Sequence, residues 1–477
     1  NVRYITKAIE NKTFTKEDIN ILLEVVKNPF TLEYENIHLK KLSKLLQDKK
    51  VKEYLKNFFG TNVLFIGDEY SYIPITKAID SLEEKTDIIS IGTKDFLIDL
   101  SHPKIDLVNS ISGKSVVLQA HHNKPVTLSI NADKVNIKNS SDSKNNVPIN
   151  LKNSNYKVLK INKATVVDES AKELKQLDIN KANVSLPNLK SLDFLFLSSI
   201  NTEDVKLPNL NKAESIYIQK SNLDNLGSID FSKTKYLTLI KSNGRFIHEL
   251  LDNVDKMRLD KLDLNNISDI KKIKFKSENS VISIKESEAE SVELEGSVKY
   301  LFLFDSKIKK LNTEKLNIER YEISGLETDK LVINNVLKLT EDDSNTRELN
   351  FSNINEIVIN NSNYRDNFWE TTINQVNFNK MKVNNSDIIL KHSGGNYLEI
   401  DGEDFRQKLT IYSSEVKTIK TVNLIKLEND LENKNKINFL PLKPHQDKIS
   451  IGETKFTVYN LEKDLQSLKN INTENLS

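Results

Sequence analysis

The 477-residue chain has no cysteine, only 12 glycines and 9 prolines, and a single tryptophan. Without thiols it can form no disulfide, thiolate zinc site or iron–sulfur cluster, and it has no cysteine nucleophile. The cellular compartment is left open by this absence. Asn-Gly and Asp-Gly pairs are almost missing, which argues against a fold made of tight β-hairpins.

Arginine is also scarce, with seven residues in the chain, and Lys+Arg 69 against Asp+Glu 68 gives a net charge of +1. Arginine is the preferred side chain for bidentate contacts with phosphates and bases, and a neutral chain has no global field to attract them. We therefore predict no nucleic-acid partner. No apolar run approaches the roughly 18 residues of a membrane helix, so we predict no membrane-spanning segment.

What the chain does contain is one short recurring pattern, from about residue 126 to 455. Two apolar residues have one residue between them, and a serine or another small residue follows three positions after the second, as in Ile216, Ile218 and Ser221. A further apolar residue, here Leu223, stands two positions after the serine. Alternating apolar residues predict a strand with one buried face. A small hydroxyl fits inside a bend and can bond a freed backbone group. Stacked units of this kind predict a solenoid.

Further copies of the pattern include Phe194/Phe196/Ser199, Leu237/Leu239/Ser242, Ile282/Ile284/Ser287, Val292/Leu294/Ser297 and Leu301/Leu303/Ser306. The pattern resembles the strand segment of leucine-rich repeats, and "LPNLKSLDFLFLSS" adds an upstream leucine as in that family. The resemblance implies that the two isoleucines and Ser221 are core, and that Tyr217 and Gln219 face the open sheet.

The spacing between copies leaves two solenoid geometries open. Copies starting at 194, 216 and 237 are 22 and 21 residues apart, whereas those at 282, 292 and 301 are 10 and 9 apart. Leucine-rich repeats have about 20–29 residues. The short gaps suit successive strands within one coil of a right-handed parallel β-helix. A series of antiparallel β-sandwiches is a third interpretation.

We predict a mainly β fold, an irregular right-handed parallel β-solenoid at 126–455. An α-helical cap at 1–60 would precede it, with a mixed α/β region at 61–125, and a small helical cap and tail at 456–477 would follow. Thr15 and Asp18 form a capping-box pattern, and Gly60 stands where a helix would end. Because the chain starts at Asn1 and not at Met, we expect it to be part of a longer protein.

The sequence carries no His-Glu-x-x-His, calcium-loop or Gly-x-Ser-x-Gly motif. His121 and His122 would point to opposite faces of a strand and could not share a metal ion. We predict no metal, no cofactor and no catalytic residue. The alternative is a β-helical carbohydrate-active enzyme, for which the carboxylates of "MRLDKLDL" and "LEIDGEDFR" are candidates.

Aromatic residues give the candidate binding surface. In "KYLFLFDSK", Leu301 and Leu303 match the core positions, so Tyr300, Phe302 and Phe304 line the exposed side of one strand. The other candidate binding residues, at comparable positions in their repeats, are Tyr217, Gln219 and Tyr412.

These features indicate a non-enzymatic scaffold that binds a protein partner through the sheet. A carbohydrate partner, or a structural role in a larger secretion machine, is the alternative. The Lys-, Asn- and Ile-rich composition is typical of AT-rich genomes. From it we expect a bacterial interaction or virulence protein that is secreted, surface-associated or delivered to a host cell.

Overall fold

The computed structural model describes residues 2–13, 15, 17–18, 21, 46, 48–66, 76–90, 95–335, 347–361, 370–384, 387–401, 407–412, 415–421, 424–429, 438–439, 447–451 and 454–458. The chain divides into two compact units. Unit 1 comprises Asn1–Thr234 and Gly244–Phe246, and unit 2 comprises Lys235–Asn243 and Ile247–Ser477. Both units are right-handed parallel β-solenoids, with about 15 turns in all.

The α-helices in the described part of the chain are α1 (Val2–Glu10), α2 (Lys49–Phe59), α3 (Thr76–Asp80) and α4 (Arg245–Asp252). The Asp48 carboxylate caps α2 by accepting the N–H of Lys50, and Gly60 ends the helix with a left-handed φ of 70°. Thr15 and Asp18 exchange the predicted capping-box hydrogen bonds. The remainder of the predicted N-terminal cap, and the predicted C-terminal helix, lie outside the described residues, so both caps stay predictions.

Unit 1 contains strands β1 (Asn62–Ile66), β2 (Thr86–Ser90), β3 (Phe96–Asp99), β4 (Val108–Gln119), β5 (Val126–Lys138), β6 (Pro148–Leu151), β7 (Val158–Asn162), β8 (Thr165–Asp168), β9 (Glu173–Asn180), β10 (Asn183–Ser185), β11 (Ser191–Ser198), β12 (Val205–Lys206) and β13 (Lys212–Gln219). Parallel pairing begins with β1 on β2 and β2 on β4. Two sheets then run through the stack of coils. Sheet I pairs β3, the ends of β4 and β5, β7, β9, β11 and β13, and sheet II pairs the start of β5, β6, β8, β10 and β12.

Unit 2 contains strands β14 (Tyr236–Ile240), β15 (Lys261–Asn265), β16 (Ile273–Lys285), β17 (Glu288–Phe304), β18 (Lys307–Ser324), β19 (Glu327–Asn335), β20 (Arg347–Asn350), β21 (Asn353–Asn361), β22 (Glu370–Asn374), β23 (Asn377–Asn384), β24 (Asp387–Lys391), β25 (Gly394–Asp401), β26 (Gln407–Tyr412), β27 (Glu415–Thr421), β28 (Leu424–Asn429), β29 (Asn438–Phe439), β30 (Asp447–Ile451) and β31 (Thr454–Val458).

Two parallel sheets also organise unit 2. Sheet III pairs β14, β15, the C-terminal ends of β16, β17 and β18, and then β20, β22, β24, β26 and β28. Sheet IV pairs the first parts of β16, β17 and β18 with β19, β21, β23, β25, β27 and β29. The pairing in both units is parallel, so the antiparallel-sandwich interpretation is wrong. The one antiparallel pair among the described strands is β30 with β31.

The short spacings in the sequence correspond to two strands within one coil. In β17, Val292 pairs with Ile273 in sheet IV while Leu301 pairs with Ile282 in sheet III. One long strand therefore crosses from one face of the coil to the next. This confirms the solenoid and the reading of the short gaps, while kinship with leucine-rich repeats stays a prediction.

The core includes pairs of buried residues, one pair on each strand named here, stacked in columns. In sheet I the pairs are Val135/Ile137, Leu159/Ile161, Leu177/Ile179, Leu195/Leu197 and Ile216/Ile218, and in sheet III they include Leu237/Leu239, Leu262/Leu264, Ile282/Ile284, Leu301/Leu303 and Tyr321/Ile323. Each buried aliphatic side chain stabilises the fold by about 1.5–3 kcal/mol relative to its exposure, which explains why a largely polar chain keeps these positions apolar.

After twelve strands of sheets I and III, the chain turns through a corner with a left-handed residue. That residue is Lys163, Lys181, Ser199, Lys220, Lys241, Asn266, Glu286, Asp305, Gly325, Phe351, Gln375 or His392. Its N–H continues the ladder to the next coil, as from Lys241 to the Asn265 carbonyl at 2.9 Å. The corner is therefore held by the same hydrogen bonds as the strands, which offsets the cost of the left-handed conformation.

A buried residue directly follows the left-handed position and closes the corner. At Ser221 the hydroxyl donates to the Gln219 carbonyl at 2.8 Å and accepts the Ile200 N–H from the neighbouring coil at 3.2 Å. Ser306 does the same with Phe304 and Ser287. The predicted role of these serines is confirmed.

Candidate binding surfaces

The predicted aromatic residues of β17 lie in a row on the outward side of sheet III. We call Tyr300, Phe302 and Phe304 the aromatic stripe. Their rings are stacked, with centroids 5.8 Å apart between the first two and 6.2 Å between the last two. All three side chains are half-buried, because the rings cover one another while their outer edges reach solvent. The predicted register is confirmed, since Leu301 and Leu303 are fully buried between them.

Cationic side chains from the adjacent positions pack against the stripe. The Lys285 ammonium lies 5.4 Å from the Phe304 ring centre, and the Lys299 ammonium lies 5.7 Å from that of Tyr300. Arg320 is the neighbour of Tyr300 in β18; its guanidinium is 5.4 Å from the same ring and donates to the tyrosine hydroxyl at 2.9 Å. Such cation–π contacts fix the rings and give this surface a positive rim.

The stripe also covers the strand beside it. Ser283 of β16 pairs with Phe302 and points outward, yet it is only 4% exposed. Its hydroxyl has no hydrogen-bond partner. On the other side, Glu322 of β18 lies next to Phe302 in register. The surface is thus mainly aromatic and cationic, with one carboxylate at its edge.

A second aromatic pair lies on the outward side of sheet I in unit 1. Tyr217 stacks on Phe196 of the neighbouring strand with ring centroids 5.1 Å apart. Gln219 also points outward, and its amide donates to the Ser198 hydroxyl at 3.0 Å. The outward positions predicted for Tyr217 and Gln219 are confirmed, and we call Phe196, Tyr217 and Gln219 the aromatic pair region.

The sequence assignment of Phe194 and Phe196 to the core is wrong by one residue. Leu195 and Leu197 are the buried residues that pair with Ile216 and Ile218, and Ser199 is the left-handed corner residue. The correct signal was present in the sequence, since these leucines precede the two isoleucines by one coil of 21 residues. Phe196 was missed as a surface residue for this reason, and Lys285 and Arg320 were missed because only pairing between coils brings them to the rings.

Other predicted positions fall as follows. Tyr412 is the last residue of β26 and pairs with Lys391, but its side chain lies outside what the structure describes. Asp263 forms an ion pair with Lys261 at 3.1 Å, and Asp260 is exposed before β15. Asp401 ends β25, and Glu403 lies outside the described residues.

The adjacent histidines follow β4 and do not lie in a strand, and their surroundings differ. His121 is exposed and contacts the Ser140 hydroxyl, whereas His122 is buried against the Val147 carbonyl. Burial lowers the pKa of His122 below its ordinary value. Within the described ranges, no three His, Asp or Glu side chains are close enough to hold a metal ion.

Comparison with family models, curated proteins and solved structures finds no match to this chain. Among the helices that the structure describes, none has the length and apolar character needed to cross a membrane.

Proposed function

We propose that this protein is a non-enzymatic scaffold that binds a partner protein through the aromatic stripe of sheet III. The observation that carries the proposal is the row of three stacked, half-buried rings on the outward face of one strand. Their backbone is held by parallel pairing on both sides. Such a surface is already ordered before a partner arrives, so little side-chain entropy would be lost on binding.

The composition of the stripe favours a protein as the partner. Tyrosine and arginine dominate the residues that contribute most to protein–protein affinity, and here Arg320 and Tyr300 are joined by a hydrogen bond. The three cations around the rings, Lys285, Lys299 and Arg320, would complement carboxylates placed beside apolar side chains. We infer an acidic partner segment with an apolar centre.

The biological setting is part of the same proposal. A repeat surface in a chain rich in Lys, Asn and Ile supports a bacterial protein that is secreted, surface-associated or delivered into a host cell, with a role in interaction or virulence. The helical caps at the two ends, and a kinship with leucine-rich repeats, belong to this proposal as well.

The proposal is tested by placing a photo-cross-linking amino acid, p-benzoylphenylalanine, at Phe302 and, as a control, at Lys309 on sheet IV, which is exposed in β18. A protein that cross-links to the chain through position 302, and not through position 309, is purified. Its affinity is then measured for the wild-type chain and for F302A and Y300A. We expect each variant to bind at least about tenfold more weakly. Equal affinity of F302A and wild type, with the fold intact by circular dichroism, would overturn the proposal.

A further inference from the structure

A second surface feature of unit 2 is a groove on sheet IV, directly after the corner. It has a volume of about 550 Å³, and its walls are formed by Thr328, Asn353, Ile354, Asn355, Asn377, Phe378, Asn379, Gly394, Gly395 and Asn396. The volume lies within the range of ligand sites in proteins, about 300–1,000 Å³. The groove crosses β21, β23 and β25, so at about 4.8 Å per strand it spans roughly 10 Å.

The side chains of the groove are amides held in a ladder. Asn377 donates to the Asn353 side-chain carbonyl at 2.9 Å, and Asn396 donates to that of Asn379 at 2.8 Å. Each amide has two N–H donors and a carbonyl with two acceptor sites. One bond per pair therefore orients the amides and leaves most of their hydrogen-bonding capacity for a ligand. All of these asparagines, together with Asn355, are exposed.

The groove opens where the row formed by Asn353 and Asn377 ends. Asn353 pairs with Asn377, which pairs with Gly394, so the third coil has no side chain at this position. The carbonyl of Asn377 faces the space above Gly394. At the next position Phe378 packs over Gly395, where an added Cβ would lie 2.1 Å from the ring. The two glycines thus create the opening and admit the ring beneath it.

A buried hydroxyl in the wall also lacks a partner. Thr328 is 7% exposed, and its Oγ1 makes no hydrogen bond. An unsatisfied buried hydroxyl costs about 1–3 kcal/mol, so its presence beside a row of amides calls for an explanation. Since Thr328 lines the groove, its hydroxyl is a candidate partner for a molecule bound there.

The absence of charged side chains in the walls favours a neutral ligand. None of the ten residues in the walls is charged, in a chain of which 29% is Asp, Glu, Lys or Arg. A phosphate, nucleic acid or metal ion would find no counter-charge here. Sugar hydroxyls both donate and accept, as amides do. The Ile354 and Phe378 side chains in the lining are buried, at 2% and 6% exposed. A peptide strand would need a free sheet edge, whereas this groove lies on the face of paired strands.

We propose that the groove binds a short neutral oligosaccharide running across the three coils. Asn355, Asn379 and Asn396 would hydrogen-bond its hydroxyls, and Thr328 would supply a further donor. The groove shares no residue with the aromatic stripe and lies on a different sheet, so either proposal can fail without the other.

The test is calorimetric titration of the whole chain with maltohexaose, cellohexaose and chitohexaose, beside hexagalacturonate and a neutral Gly-Ser hexapeptide. We expect at least one neutral sugar to bind and the two other probes not to bind. N355A and N379A should each weaken that binding by about tenfold or more, the loss expected for one or two hydrogen bonds. T328V should weaken it by a smaller factor.

N384A is the matched control, because Asn384 lies on the same strand, outside the groove, and donates to Asn360 at 2.5 Å in a ladder of its own. It should leave sugar binding unchanged. N355A also tests the site without disturbing the ladder, since Asn355 takes no part in either ladder bond described above. The proposal is overturned if no neutral sugar binds, if the peptide or the anionic sugar binds instead, or if N355A and N379A bind as the wild type does.

Discussion

Units 1 and 2 both place stacked aromatic rings on the outward face of a parallel sheet, but they assemble them differently. In unit 1 the contact between Phe196 and Tyr217 joins two neighbouring strands. In unit 2 the rings of Tyr300, Phe302 and Phe304 follow one another along a single strand. The first arrangement depends on the register between coils, whereas the second needs only alternation within β17.

The surroundings of the two surfaces differ in charge as well. Phe196 has Asp178 as its other neighbour in register, and that carboxylate is paired with Lys160 at 2.6 Å and accepts the Gln176 amide. The stripe of unit 2 has cations lying over its rings. Similar aromatic surfaces can thus favour different partners, because the neighbouring coils set the charge around them.

The largest predicted effect separates the core from both surfaces. L197A and L303A should each lower the free energy of unfolding by about 2–5 kcal/mol, because each leaves a cavity between coils. F196A and F302A should each lower it by about 1 kcal/mol, because a half-exposed ring loses mainly its stacking contact. Urea unfolding followed by circular dichroism measures both pairs.

An outward phenylalanine whose removal cost as much as that of its leucine neighbour would show that the ring belongs to the core. The comparison between surfaces would then fail for that unit. Equal and small costs for F196A and F302A would instead support surface roles for both rings.

A second prediction concerns the interior of unit 1, where a coil encloses a polar pair. The Tyr156 hydroxyl donates to the Asp168 carboxylate, which is fully buried and also accepts the Ser170 N–H at 2.6 Å. Y156F should lower the free energy of unfolding by about 1–3 kcal/mol at neutral pH, since the carboxylate loses a donor. Chemical unfolding at pH 7 measures the loss.

The same pair predicts a pH dependence. Burial and the Asp168 charge raise the pKa of Tyr156 well above its ordinary value of 10.0. Its contribution to stability is therefore complete below pH 10 and is lost as the pH rises above 10 toward the raised pKa, because only the unfolded chain releases the proton there. The difference between wild type and Y156F should shrink over that range. Y236F, at a residue 44% exposed on β14, is the control at an exposed position. A difference that stayed constant with pH would contradict the buried pair.

Much of the fold could be predicted from the sequence, because strands and corners depend on local patterns. The alternation at Ile216 and Ile218 specifies a strand, and Ser221 specifies the corner, through interactions within a few residues. At 194–197 four apolar residues are consecutive, so both registers alternate equally well. Pairing with the isoleucines of the next coil decides between them, and a local pattern does not contain that information.

The candidate sites follow the same rule. The stripe could be predicted because it lies along one strand, whereas its cations could not, since Arg320 reaches Tyr300 only through strand pairing. The groove was missed although "NIN" at 353–355 and "NFN" at 377–379 repeat one coil apart. In a chain this rich in polar residues, these asparagines do not indicate a binding site, because only the stacking of the coils brings them together.

A third prediction measures the stacking itself. A double-mutant cycle of F196A and Y217A should give a coupling energy of about 0.5–1.5 kcal/mol, because the two rings meet across strands. A cycle of Y300A and F304A should give a value near zero, because Phe302 lies between those rings. Thermal or urea unfolding of the four chains in each cycle supplies the energies. Equal coupling in the two cycles would remove the distinction between a pair across coils and a stripe along a strand.

The smallest predicted effect distinguishes the two surfaces by charge. R320Q removes the cation over Tyr300 and its hydrogen bond, and should lower the free energy of unfolding by about 0.5–1 kcal/mol at low salt. Q219A removes a neutral hydrogen bond to Ser198 in unit 1 and should have a similar cost.

Unfolding is measured at low and at about 1 M sodium chloride, where the Debye length falls to about 3 Å. The cost of R320Q should decrease with salt, whereas that of Q219A should not, because only the first interaction involves a net charge. If both costs were equally insensitive to salt, the cationic rim would not act electrostatically, and the acidic partner inferred for unit 2 would lose its physical basis.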